Sequence, residues 1–396
     1  MKRALASRSR PAWANHAASP GLDAGRLLED ARRLHRWVST RTDDAAVEIY
    51  HRAALAMRVT RELGSRALAI QVGCEDGTAL RCWNRRTGRV GFAATSGLDE
   101  GRVDWLLSNA SSGMGGEPAG LPWRVDGGVV IDRDPGVGPT VEDLERWLLE
   151  ATEPFPDHAA WVEAAATVES WAGSDGGAAS RSRCRGWAML DANGRPSFVA
   201  ARRWSELPAD RWNALLDERR FPVPRNRWAF SAESSADLVA ACCAYLQQTG
   251  GGLGLRVGPG WRVRDEPGDG AAIRGGTFDD AGFASRGQIL ADGAEIVGIT
   301  GHAGRWTRGS YRDAPSPQPS HLVVDPCEAE PTEGGCVRHV RIHPTGRSWL
   351  LETDEGSFLE THPIRLMQTC IGTWGSPWPS HRGVVTPALV FERPEL

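Results

Sequence analysis

Apolar side chains recur at every third or fourth position near the start of the chain. Leu27, Leu28, Ala31, Leu34 and Trp37 follow this spacing between residues 24 and 38. The spacing matches one face of a helix with about 3.6 residues per turn, so it predicts an amphipathic helix. Similar spacing predicts further helices over residues 99–110, 141–151 and 236–248.

Short runs in which apolar and polar residues alternate fill most of the remaining chain. They predict strands over residues 47–50, 54–60, 67–72, 79–84 and 89–95, and they dominate from residue 160 to the C-terminus, where helix 236–248 interrupts them. The sequence therefore predicts an α+β protein. We expect an N-terminal α/β domain, in which helices flank an antiparallel sheet, and a larger β-rich C-terminal domain.

Changes in composition divide the chain into four segments. The first 20 residues carry three arginines and one lysine but no apolar run, which favours a disordered tail over residues 1–20. We expect the N-terminal domain to span residues 21–135. A connecting region then covers residues 136–225, and the β-rich domain covers residues 226–396.

Charge and cysteine spacing exclude several classes of protein. The formal net charge is -4 and the sequence has no basic block, so we expect neither nucleic acid nor an anionic membrane as a partner. No apolar segment approaches the roughly 18 residues of a membrane span. The eight cysteines show no CxxC spacing, which predicts reduced thiols in a cytoplasmic protein.

Five sequence motifs resemble those of one peptidase family. They are GRVGFAATSGL at 88–98, GGTFDDAGF at 275–283, LADG at 290–293, GSYR at 309–312 and PALVF at 387–391. Together they resemble the TldD/PmbA (TldE) family of modulators of DNA gyrase. The resemblance implies a pair of subunits, of which TldD carries zinc and TldE does not, that together hold and cleave an extended peptide.

In the TldD type of subunit, zinc is held by an HExxxH helix. The resemblance implies that the two imidazoles of this motif, five residues apart, bind one zinc ion, while the glutamate takes a proton from zinc-bound water. Aligned on a shared Ser-x-Glu start, these positions fall on Ala240, Ala241 and Tyr245, and the family's late cysteine ligand falls on Trp374. The resemblance therefore implies degenerate metal positions and no metal in this chain.

Seven residues are candidates for lining a substrate cleft, on the basis of the resemblance and of their side-chain chemistry. They are Asp279, Asp280, Arg308, Tyr311, Arg312, Trp374 and His381. Adjacent carboxylates such as Asp279 and Asp280 can share a proton or hold a cation. Consecutive residues of a strand face opposite sides, however, so an ordinary turn remains the alternative for this pair.

The resemblance implies a TldE-like role for this chain. It would be the metal-free subunit of a heterodimer or larger assembly with a TldD-like zinc subunit, and it would bind a peptide or peptide-like substrate. Maturation of ribosomal peptides in antibiotic pathways is the expected use. Two alternatives stay open: a stand-alone peptide-binding protein or homodimer, and a metal-independent biosynthetic enzyme that uses Asp279, Asp280 or His381.

Overall fold

The structure is a computed structural model of the 396-residue chain. The residues that it describes are 24–42, 45–65, 67–97, 100–113, 129–133, 138–173, 176–191, 196–201, 203–210, 212, 227–249, 254–266, 288–297, 306–307, 310–314, 316–317, 322–327, 337–338, 340–345, 348–353, 356, 358–380 and 383–392.

The N-terminal sheet has seven strands in the order β3-β2-β1-β5-β6-β4, with β7 also paired to β6. All neighbours are antiparallel except β4 and β6, which are parallel. The strands are β1 (Ala45–Arg61), β2 (Leu68–Asn84), β3 (Val90–Ser96), β4 (Val129–Arg133), β5 (Ala159–Gly173), β6 (Ala178–Asp191) and β7 (Pro196–Ala201). Its helices are α1 (Ala24–Ser39), α2 (Val103–Ser112) and α3 (Val141–Ala151).

Strand β1 is one continuous element because it has a neighbour on each side. It pairs with β2 along its whole length and with β5 from Glu48 to Arg61. The expectation of two short strands in each of β1 and β2 is therefore wrong. The expected boundary at residue 135 also fails, since residues 159–201 of the connecting region supply β5, β6 and β7 to the N-terminal sheet. Pairing between strands so far apart in sequence leaves no local signal.

The two faces of this sheet have different chemistry. One face is apolar and packs under α1 and α2, where Ile49 and Leu80 meet Leu34 of α1. The hydroxyl of Ser170 donates to the backbone oxygen of Leu27, 3.1 Å away, and ties β5 to α1. Because successive side chains of a strand alternate between faces, the residues in between point to the opposite face, which carries buried aromatic and charged groups.

The C-terminal sheet also has seven strands, in the order β10-β9-β13-β19-β8-β14 with β18 paired to β19. Its strands are β8 (Arg227–Phe230), β9 (Arg262–Asp265), β10 (Gln288–Asp292), β13 (Leu322–Val324), β14 (Val337–Arg338), β18 (Cys370–Pro379) and β19 (Val384–Glu392). The remaining strands are the pair β11 (Trp306–Thr307) and β12 (Ser316–Pro317), and the group β15 (Val340–Thr345), β16 (Ser348–Thr353) and β17 (Phe358–Thr361). The helices are α4 (Ala232–Gln248) and α5 (Pro363–Thr369).

Helix α4 packs on one face of the C-terminal sheet and forms the larger core with it. Leu238, Val239 and Leu246 of the helix belong to the same buried cluster as Phe230 of β8 and Phe391 of β19. The two phenyl rings lie 4.9 Å apart between centroids. Helix α4 is thus a core helix over most of its circumference.

These observations confirm the predicted α+β class, with helices flanking one antiparallel-rich sheet and a second β-rich region. In the described part of the chain, no helix is long and apolar enough to span a membrane. The seven cysteines among the described residues are free thiols.

Candidate functional site

Serine hydroxyls fix the start of helix α4. The Ser231 hydroxyl accepts a hydrogen bond from the backbone N–H of Ser234 at 3.2 Å, which satisfies one of the donors left open at a helix N-terminus. The Ser234 hydroxyl accepts from the backbone N–H of Val340, and the Ser235 hydroxyl accepts from that of Leu389. The first turn of α4 is therefore locked to β15 and β19.

The first turn of α4 also contacts the N-terminal sheet. The Glu233 carboxylate accepts a hydrogen bond from the backbone N–H of Phe198 in β7, at 3.1 Å. Ala232 and Trp378 of β18 are buried in one cluster with Leu144 of α3 and Val199 of β7. The helix at the degenerate metal positions thus begins where the two sheets meet.

The degenerate metal positions on α4 are occupied by core-packing side chains. Ala240, Ala241 and Tyr245 are half-buried and pack against the C-terminal core. Methyl groups offer no lone pair to a zinc ion and cannot accept a proton from water. These side chains do not fit a zinc site.

The phenol of Tyr245 forms a hydrogen bond with the side chain of His362. Its oxygen lies 3.2 Å from Nε2 of His362, and the two rings are edge-on with centroids 5.5 Å apart. Nδ1 of His362 accepts the backbone N–H of Ile364 and so caps helix α5. In the neutral imidazole the proton is then on Nε2, which donates to the Tyr245 oxygen. Tyr245 is therefore part of the contact between α4 and α5.

Three buried thiols lie on or near the same helix. Burial, and to a lesser extent the nearby thiols of Cys243 and Cys370, raises the pKa of Cys242 well above its usual range. Burial and the Asp265 carboxylate raise the pKa of Cys243 to about 12. Thiols with such pKa values stay protonated and unreactive. Among the described residues, no group of three or more histidine, cysteine or acidic side chains is arranged to hold a metal ion.

The structure does not bring Trp374 together with Tyr245. The half-buried indole of Trp374 packs against Ala229 and Val390. Phe230 and Phe391, which follow those two residues along β8 and β19, face α4. Because side chains alternate along a strand, Trp374 is on the face of the sheet that points away from α4.

Tyr311 lies on the charged face of the N-terminal sheet. Tyr311 is 3% exposed and packs with Tyr50, Ala79, Trp171 and Ala179. We call these four residues and Gly77 the Tyr311 seat. A Cβ added at Gly77 would lie 2.3 Å from two ring carbons of Tyr311. The missing side chain at position 77 thus makes room for the ring.

Polar contacts hold the segment around Tyr311 in place. The Glu75 carboxylate of β2 accepts hydrogen bonds from the Ser310 hydroxyl, at 2.6 Å, and from the backbone N–H of Tyr311, at 3.1 Å. Nε of Arg312 donates to the Tyr311 hydroxyl at 3.0 Å. The other oxygen of Glu75 lies 3.4 Å from Nε of Arg52. Tyr311 and Arg312, two of the candidate cleft residues, are therefore neighbours in a contact with the N-terminal sheet.

A buried carboxylate lies next to the Tyr311 seat. Glu169 of β5 accepts a hydrogen bond from the Tyr50 hydroxyl at 2.7 Å and one from Nε of Arg181 at 2.5 Å. Burial alone would raise the pKa of Glu169, but Arg181 and Arg52 hold that pKa well below its usual range. Glu169 is therefore ionised, and it balances two guanidinium groups within the sheet.

Sequence reasoning missed this polar cluster, which comprises Tyr50, Arg52, Glu75, Glu169 and Arg181. The signal in the sequence is weak: charged residues alternate with aromatic ones inside runs that also read as strands. Of the other candidate cleft residues, Asp279, Asp280, Arg308 and His381 lie outside the described residues.

Comparison with known proteins identifies the fold. No family model matches the sequence, and no curated protein matches it either. The structure of TldE from Thermococcus kodakarensis is similar with a TM-score of 0.68 and 12% identity, over 92% of this chain and 98% of TldE. Two proposed modulators of DNA gyrase are also similar. The one from Thermotoga maritima has a TM-score of 0.64 and 13% identity, over 92% of this chain and 99% of its own. The one from Bacteroides thetaiotaomicron has a TM-score of 0.63 and 14% identity, over 93% and 97%. The motif-based expectation of the fold is confirmed: this chain has the fold of TldE.

Proposed function

We propose that this chain is the metal-free, TldE-like subunit of a zinc metallopeptidase of the TldD/TldE type. The observation that carries the proposal is the chemistry of helix α4 within a TldE fold. Ala240 and Ala241 carry methyl groups where a zinc subunit carries histidine and glutamate, and the Tyr245 phenol is bonded to His362. The zinc ion and its catalytic glutamate then belong to a separate TldD-like subunit with an HExxxH helix.

In this proposal the two subunits have different roles, substrate binding and hydrolysis. An extended peptide can add to a sheet as one more strand, with main-chain hydrogen bonds for affinity and side-chain pockets for specificity. This chain contributes substrate binding, and its partner contributes hydrolysis. Maturation of ribosomal peptides in the cytoplasm is the use that we propose for the pair.

Reconstitution of peptide cleavage tests the proposal. This chain, a TldD-like subunit encoded beside it and an equimolar mixture of the two are each incubated with a library of unstructured peptides, and products are followed by mass spectrometry. We expect cleavage by the mixture and at least about tenfold less by either chain alone. In the control mixture, the glutamate of the partner's HExxxH motif is replaced by glutamine; the complex should form and cleavage should stop.

Two outcomes would contradict the proposal. Cleavage by this chain alone that survives a zinc chelator would mean a metal-independent enzyme. Peptide binding by this chain with no complex and no cleavage in the mixture would mean a stand-alone binding protein.

A further inference from the structure

The segment 310–312 places a buried phenol beside an exposed guanidinium group. Tyr311 is 3% exposed, and its hydroxyl oxygen accepts a hydrogen bond from Nε of Arg312 at 3.0 Å. Arg312 itself is exposed. A phenol has an O–H donor as well as an acceptor oxygen, so this contact leaves the Tyr311 proton for another acceptor. The terminal Nη groups of Arg312 are donors as well.

These two sets of donors have no acceptor in the described part of the chain. No oxygen atom accepts from the Tyr311 hydroxyl, and no carboxylate lies within ion-pair distance of Arg312. Buried polar groups in folded proteins usually have a partner in the protein, in ordered water or in a ligand, because leaving them unpaired is costly. The phenol and the guanidinium group together therefore suit an anion that accepts two hydrogen bonds.

The Tyr311 seat fixes both donors in advance. The Glu75 carboxylate accepts from the Ser310 hydroxyl at 2.6 Å and from the Tyr311 backbone N–H at 3.1 Å, and Gly77 leaves room for the ring. The backbone N–H of Arg312 donates to the Ser310 hydroxyl at 3.2 Å. Donors that are already held in place lose little conformational entropy when a ligand binds.

The carboxylate of Glu75 does not substitute for such an anion. Its charge acts on Arg312, but its oxygens already accept from Ser310 and Tyr311 and contact Nε of Arg52. The positive charge of Arg312 at the surface is therefore available to a ligand. A slender group, such as a side chain or a chain end, reaches a buried hydroxyl more readily than the broad surface of another subunit does.

We propose that Tyr311 and Arg312 bind a carboxylate of the peptide substrate, which is either an acidic side chain or the free C-terminus. One carboxylate oxygen accepts from the Tyr311 hydroxyl and the other from an Nη group of Arg312. Charge-assisted hydrogen bonds of this kind are stronger than those between neutral groups. This inference rests on the proposed function, since it names the class of peptide that the subunit pair selects.

Cleavage of matched peptides by the reconstituted pair tests this carboxylate site. A short peptide from the cleavage library is made without any carboxylate, with glutamine for each acid and an amidated C-terminus. Its relatives carry either one glutamate, placed at each position in turn, or a free C-terminus. The best carboxylate peptide should have a KM about tenfold or more below that of the uncharged peptide, at similar kcat. The peptide that is preferred identifies the source of the carboxylate.

Three substitutions assign the preference to this site. Arg312→Gln should abolish it, and Tyr311→Phe, which keeps the ring in its seat, should weaken it. Arg365→Gln is the matched control and should leave the preference unchanged, because Arg365 is also exposed and, among the residues that the structure describes, contacts no carboxylate. Equal preference in the wild type and Arg312→Gln, or equal loss in Arg365→Gln, would overturn the inference.

Calorimetric titration of this chain alone with the same peptides separates the inference from the proposed function. If no mixture cleaves any peptide, the proposed function is wrong, but tighter binding of a carboxylate peptide by the wild type than by Arg312→Gln still supports the site. Equal binding by the two chains would overturn the site even if the pair cleaves peptides. Loss of the subunit complex in Arg312→Gln, with unchanged peptide binding, would assign the guanidinium group to a subunit contact and also overturn the inference.

Discussion

Replacement of Gly77 by alanine tests the packing of Tyr311 against the N-terminal sheet. The new Cβ would lie 2.3 Å from carbons of the Tyr311 ring, whereas carbon atoms in contact are about 3.5 to 4.0 Å apart. The ring must therefore leave its seat or shift by more than about 1 Å. Loss of an aromatic side chain from a buried site costs about 1.5 to 3 kcal/mol. Alanine is favoured over glycine in a strand by about 0.5 to 1 kcal/mol, so the net loss is about 0.5 to 2.5 kcal/mol.

Urea unfolding followed by tryptophan fluorescence measures this loss as a lower midpoint at unchanged slope. Gly73→Ala is the matched control in the same strand, because a Cβ there has nothing within 4 Å; it should be neutral or stabilising. In a Tyr311→Ala background, Gly77→Ala should no longer destabilise the fold. The reasoning is refuted if Gly77→Ala behaves like Gly73→Ala, or if its penalty persists without the Tyr311 ring.

Two further substitutions test the buried polar contacts. Glu169→Gln removes the charge that balances Arg181 and should cost about 3 to 5 kcal/mol at pH 7. Glu163→Gln, in the more exposed pair of Glu163 with Arg58, should cost at most about 1 kcal/mol. Because the folded-state pKa of Glu169 is lowered, its contribution is complete above the unfolded pKa of about 4.3 and is lost as the pH falls below that value. The difference in unfolding free energy between wild type and Glu169→Gln should therefore narrow in acid, and a constant difference down to pH 2 would contradict this account. Tyr245→Phe removes the hydrogen bond to His362 and should cost about 0.5 to 1.5 kcal/mol in the same urea assay; no loss would show that the contact between α4 and α5 does not depend on it.

Elements with local causes could be predicted from the sequence. The predicted range of helix α3, 141–151, agrees with the structure, since Thr140 and Asp143 form a capping box at its start. Helix α1 was likewise evident from its apolar spacing, and its structural bounds, Ala24–Ser39, differ from the prediction by one residue.

Features that depend on distant residues could not be predicted. Glycine at positions 73 and 77 favoured a break in β2, but pairing with β1 keeps the strand continuous. The contact between Gly77 and Tyr311 joins positions more than 200 residues apart in sequence, and no local pattern marks it. The position of Trp374 on the face away from α4 follows from the pairing of β18 with β19, which the sequence does not reveal.

The zinc content of the purified assembly tests the central claim most directly. This chain is purified alone and together with the TldD-like subunit, and zinc is measured by mass spectrometry against protein concentration. The account predicts about one zinc ion per pair of subunits and none in this chain alone, with no loss of zinc from the pair when Tyr245 is changed to Phe. Stoichiometric zinc in this chain alone would contradict the account, because Ala240, Ala241 and Tyr245 would then not mark the place of a lost metal site.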